Sequence, residues 1–136
     1  MTSKLRGFSL IEVLIALTIL GILTTIAIPT YSGYVQRNRR SDAINTLLSL
    51  QLGQERWRTT HPTYTDLVTD IAATATSSQG YYTVVLSTPA SDIGFTITAS
   101  PAVGSPQTAD TKCPSFTISQ SGPVIADAQD RTCWNL

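Results

Sequence analysis

Glu12 is the residue most in need of a chemical explanation, because it interrupts an apolar run. From Phe8 to Ile28 the chain reads FSLIEVLIALTILGILTTIAI, and fifteen of these 21 positions are Ala, Val, Ile, Leu or Phe. A carboxylate at the centre of a membrane helix costs about 2.5–3.5 kcal/mol, and less near the helix end. Such a group needs a partner. If the chain is cut before Phe8, the new α-amino group falls one helical turn from Glu12, on the same face. The same amine on a neighbouring molecule is the second candidate, and the positive end of the helix macrodipole favours an acid there. The bland alternative is a carboxylate that snorkels to the membrane interface.

Other residues offer less chemistry. Cys113 and Cys133 enclose 19 residues, and a disulfide there would contribute about 3 kcal/mol by loop entropy in an oxidising compartment. Two free buried thiols are the alternative. His61 precedes Pro62 with no nucleophile or acid at triad-like spacing, so it reads as solvated. Asp66 and Asp70 read as solvent charges, and Asp127 with Asp130 supplies too few donors for Ca²⁺. Arg37, Arg39 and Arg40 have the charge to hold lipid headgroups or DNA. They read instead as a solvated collar, or as partners of Asp42 and of acids on neighbouring molecules. No catalytic residue, cofactor or metal is expected, and no glycine loop is built to cradle phosphate.

The elements that must position these groups follow from composition and period. A chain of 136 residues holds one small domain. Charged residues make up 13% and apolar ones 42%, which excludes intrinsic disorder. Net charge is zero, against a general nucleic-acid binder. The charge is divided, however: residues 1–40 sum to +4 and residues 41–136 to −4. The run from Phe8 is long enough to cross a hydrocarbon layer of ~30 Å. A core helix of this length could hardly be surrounded by so small a chain. A secretory signal would need a small-residue cleavage site after the run, whereas Gly7 stands before it.

Beyond the run, Ile44, Leu47, Leu48 and Leu52 recur at helical spacing, with Leu50 and Trp57 off that stripe and Arg39, Arg40, Asp42, Asn45 and Gln54 on other faces. One helix from about Phe8 to Arg58 is expected, bent near Pro29. Residues 59–80 read as a loop with one helical turn around Asp66–Ala73. Tyr81–Ser87, Gly94–Ser100 and Ser115–Gln120 alternate with threonine outside, the pattern of half-buried strands. Ala90-Ser91-Asp92 and Ser121-Gly122-Pro123 carry turn chemistry. The fold class is α+β: an antiparallel meander packed on the second half of the long helix.

The string Arg6-Gly7-Phe8-Ser9-Leu10-Ile11-Glu12-Val13 resembles the class III signal of the type IV prepilin family. Tyr34-Val35-Gln36-Arg37-Asn38-Arg39-Arg40-Ser41-Asp42-Ala43, Glu55-Arg56, Tyr64, Tyr81-Tyr82-Thr83-Val84 and Cys133-Trp134 resemble minor pilins of the PilE type. The resemblance implies a leader over residues 1–7 that prepilin peptidase removes between Gly7 and Phe8, with N-methylation of Phe8 and Glu12 as the assembly acid. It implies a transmembrane and filament-core helix over residues 8–29, a second half over residues 30–58, and a pilin head over residues 59–136 with a C-terminal disulfide loop. Pro29, at the expected kink, and Tyr31 match the family's proline and aromatic near the end of the apolar stretch.

The implied role is structural rather than enzymatic: a minor subunit of a bacterial type IV pilus serving biogenesis, twitching motility, adhesion or DNA uptake. Its implied partners are other pilin subunits, prepilin peptidase, the inner-membrane assembly machinery and lipid. Before assembly the chain would be single-pass in the inner membrane with a periplasmic C-terminal domain; afterwards it would be extracellular. A type II secretion pseudopilin shares the first part of the pattern, but its core subunit usually lacks the late cysteine pair. A DNA receptor on the pilus would need a basic head, which the −4 sum disfavours.

Overall fold

The computed structural model describes residues 8–72, 74–89 and 94–136. Helix α1 spans Leu10–Arg58, close to the expected limits. The Ser9 carbonyl opens it by accepting the N–H groups of Glu12 and Val13 at 3.1 and 3.3 Å. The helical span continues through Pro29. The chain divides into two compact units at Val35/Gln36, so α1 contributes to both.

The second unit carries the sheet. Strands β1 (Tyr82–Ser87), β2 (Thr96–Pro101), β3 (Phe116–Ser119) and β4 (Gly122–Pro123) pair antiparallel in the order β1-β2-β3-β4. Val84 faces Ala99 and Ile97 faces Ile118, which keeps the apolar positions of neighbouring strands in register. The inward residues Tyr82, Val84, Leu86, Ile97, Ala99, Phe116 and Ile118 form one buried cluster with Ala43, Leu47 and Leu50 of α1. The alternation seen in the sequence therefore assigns the faces correctly, with threonines outward. Ser121-Gly122-Pro123 is only partly a turn: Gln120 and Ser121 reverse the chain, and Gly122, at φ +112°, starts β4. The turn expected at Ala90-Ser91-Asp92 lies outside the described residues. The helical turn expected in the 59–80 loop is a 3₁₀ turn over Val68–Asp70.

Two expectations need correction. The buried face of α1 is not the Ile44–Leu47–Leu48–Leu52 stripe. Leu48 and Leu52 are 46% and 52% exposed, while Ala43, Leu47, Leu50 and Gln54 are buried, with Arg40 and Asp42 beside them. The true face is rotated by roughly a quarter turn. Polar side chains can lie on it because loops supply their partners. The Gln54 amide donates to the Thr65 carbonyl at 2.7 Å and accepts the Thr65 N–H at 3.2 Å. Gly53 lets the loop come close, since a Cβ there would sit 3.1 Å from Cβ of Ile71.

The second correction is helix α2, Ala128–Trp134, which was not expected. Asp127 caps it by accepting the N–H of Asp130 at 2.9 Å, and the Asp130 carboxylate accepts the N–H of Ala126 at 2.9 Å. Asn135 closes it in the left-handed region at φ 58°. These two acids are helix caps.

Cys133 of α2 is bonded to Cys113, as expected. Beside the bond, Trp134, Phe116 and Tyr82 form an edge-to-face chain with centroids 5.7 and 5.8 Å apart. Burial pushes the Tyr82 hydroxyl up to about 12, with the Gln107 amide partly opposing. Below pH 10, the ordinary tyrosine value, the folded and unfolded states are both protonated. From about 10 to 12 the unfolded state ionises first, so stability falls as pH rises. A Tyr82→Phe protein should lose less stability over that window, which denaturant titrations at pH 9 and 11 will show. An equal alkaline loss in both proteins would rule this out.

Candidate assembly site and head surface

The N-terminal unit is defined by what its own chain leaves uncovered. Phe8, Leu10, Ile11, Ile22, Ile26 and Ile28 are between 61% and 83% exposed, and the most apolar stretch of α1 has no buried residue. Its threonines are turned inward: the hydroxyls of Thr18, Thr24, Thr25 and Thr30 donate to the carbonyls of Leu14, Gly21, Ile22 and Ile26 at 2.7–3.0 Å. A hydroxyl satisfied by its own helix can face an apolar medium without an orphaned donor. The surface therefore suits lipid or other apolar helices.

Glu12 stands in the first turn of this helix and is exposed. It shares a shallow groove with Phe8, Val13, Ala16, Leu17 and Leu20. The structure thus brings Phe8 and Glu12 to one face, the geometry an α-amino group at Phe8 would need to answer the carboxylate. Gly7 lies outside the described residues. Pro29 lies within the helical span of α1.

The arginine cluster does not act as one collar. Arg40 is buried: its Nε and Nη2 donate to both carboxylate oxygens of Asp110 at 2.7 and 2.9 Å. Gln107 joins them, its amide donating to Asp110 at 2.9 Å and to the Gln36 carbonyl at 3.2 Å. Ser105 positions this loop by capping the 3₁₀ turn Pro106–Ala109, its side chain accepting the Gln107 N–H, and Pro106 opens the turn. Arg40 is therefore a structural clamp between α1 and a loop 70 residues away. Asp42, expected as an arginine partner, instead accepts from the Ser78 hydroxyl and the Gln79 N–H at 3.0 and 3.2 Å. Arg39 lies 5.0 Å over the Tyr81 ring, and Arg37 is exposed.

At the far end of α1, His61 is exposed but ordered. Its ring lies parallel to Trp57, with centroids 3.7 Å apart and planes 4° apart. Asp66 is exposed, and Asp70 accepts from the Thr65 hydroxyl. Taken singly, Trp57 and His61 carry no functional signal in the sequence. Their i, i+4 spacing at a helix end was the available signal.

Comparison with known proteins agrees with this geometry. A family described as type IV minor pilin ComP, DNA uptake sequence receptor, matches residues 29–117. A prokaryotic N-terminal methylation motif matches residues 2–28. The type IV major pilin protein PilA of Myxococcus xanthus is 36% identical over 66 residues, covering 48% of this chain and 30% of that protein. The fimbrial protein EcpC of Eikenella corrodens is 50% identical over 40 residues, 29% of this chain and 26% of its own. The chain thus spans under a third of the length of these curated relatives. A type IV pilin from Shewanella oneidensis shares the fold, with TM-score 0.50, 22% identity, and coverage of 67% of this chain and 92% of that one. With a matching head and a matching methylation segment on one polypeptide, the chain belongs to the type IV minor pilin ComP family.

Proposed function

We propose that this protein is a minor subunit of a type IV pilus and that it contributes to DNA uptake. The observation that carries the structural role is the apolar face of Phe8–Ile28, uncovered by its own chain and carrying one acid. Such a surface must be covered by lipid before assembly and by the helices of other pilin subunits afterwards. On this reading prepilin peptidase cuts between Gly7 and Phe8 and methylates Phe8. The mature chain waits in the inner membrane as a single-pass protein with its head in the periplasm. Glu12 then meets a terminal amine in the filament. The chain works as a structural and binding subunit and performs no reaction itself.

The DNA contribution is supported by the family match across the head. The objection from the −4 sum weakens once the head is counted as the compact unit Gln36–Leu136, which adds Arg37, Arg39 and Arg40 and holds seven basic and eight acidic side chains. Arg40 and Asp110 neutralise each other inside the unit, and Asp42 is buried. Outside that pair, residues 36–136 retain six basic and seven acidic side chains, Asp42 among the acids. A nearly balanced head can present local cations to phosphate.

The test is quantitative mass spectrometry of sheared pili. A chain starting at N-methyl-Phe8, present at a small fraction of the major subunit, is the expected result. Its absence from pili, with secretion of exoproteins lost on deletion, would favour the pseudopilin reading instead.

A further inference from the structure

We infer that the Trp57–His61 stack at the end of α1 is a platform for an unpaired nucleobase of single-stranded DNA. This rests on the DNA-uptake reading above and adds a place and a ligand form to it. The two rings are parallel at 3.7 Å. Trp57 covers one face of the imidazole, and His61 is exposed. A planar base laid on the exposed side would continue the stack.

The platform is held in place before any ligand arrives. The His61 N–H donates to the Trp57 carbonyl at 3.1 Å. Ring Nδ1 lies 3.1 Å from that carbonyl and 2.9 Å from the Thr60 hydroxyl. Arg58 donates to the His61 carbonyl at 2.9 Å. Little side-chain freedom is left to lose on binding.

Charge tells which force does the binding. Arg56 is exposed beside the stack and can meet a flanking phosphate, whereas Arg58 is held at the His61 carbonyl and 5.8 Å over the Tyr64 ring. Glu55, Asp66 and Asp70 lie on the same stretch and offset that charge. The carbonyl end of α1 adds further negative potential. Phosphate attraction is therefore weak here, and stacking, worth about tenfold or more per base, must supply the affinity. A site of this kind depends on the base and only weakly on salt.

The experiment measures fluorescence anisotropy with the full chain in detergent micelles. Its three probes are an oligothymidylate, an abasic strand of equal length and charge, and a duplex. Oligothymidylate should bind about tenfold more tightly than the abasic strand. His61→Ala should erase that preference, and His61→Phe should keep it. Equal affinity for the two single strands, or a preference that survives His61→Ala, overturns the platform. If the duplex binds while that preference is missing, only the platform falls. If no DNA binds at all, the DNA reading falls with it.

Discussion

A Glu12→Val protein should be cut, methylated and inserted in the membrane, yet be nearly absent from sheared pili. The substitution removes the only acid of the Phe8–Ile28 run. An acid in the first turns of a membrane helix costs up to about 2.5–3.5 kcal/mol, so valine makes the segment a better membrane anchor. Assembly, in contrast, requires the helix to leave lipid for an apolar bundle. Lipid and helix surfaces are similarly apolar, so burial alone provides little drive for that exchange. On the proposed reading, a carboxylate answered by an amine would provide both drive and register. Phe8 and Glu12 line one groove, so an amine freed at Phe8 would fall on the face of the carboxylate. Immunoblots of membrane and sheared-pilus fractions will measure the partition. Wild-type abundance of Glu12→Val in pili would remove Glu12 from assembly. In the companion Gly7→Val protein the bond itself should stay uncut, and intact-mass analysis should find the leader retained.

Asp110→Ala should destabilise the head by about 3–5 kcal/mol, the usual cost of leaving one partner of a buried ion pair alone. Arg40 and Asp110 expose only 8% and 1% of their side chains, so water cannot replace the lost carboxylate. The Gln107 amide would lose an acceptor at the same time. Against a total stability of about 5–15 kcal/mol this is a severe loss. Thermal unfolding followed by near-ultraviolet circular dichroism should show a fall of at least about 10 °C. Arg40→Met combined with Asp110→Leu should recover much of it, because no charge is then stranded. An Asp110→Ala protein with unchanged unfolding would mean that the clamp contributes nothing.

The two predictions sit at opposite ends of what could be read from residues alone. Glu12 was conspicuous because an acid in an apolar run is anomalous in one dimension. Arg40 looked like one of three solvated cations, since its partner lies 70 residues away. Asp42 and Gln54 were placed outside for the same reason: their partners, Ser78, Gln79 and Thr65, belong to loops without a period. The strands were legible because alternation is a local property, and Tyr82, Val84, Ile97 and Ile118 are buried as that pattern requires. Helix α2 escaped because seven residues give no periodic stripe, and its caps, Asp127 and Asn135, resemble ordinary loop residues. With two cysteines, the disulfide could pair in only one way.

By itself, then, the order of residues determined the membrane-suited helix with its single acid, the strand faces and the cysteine pairing. Each depends on spacing along the chain or on the number of available partners. Tertiary structure decided which side of α1 enters the core, which arginine is a clamp, and that Trp57 and His61 lie face to face. Those outcomes depend on where distant loops deliver hydrogen-bond partners and on how two rings turn at a helix end, and neither has a signature in local spacing.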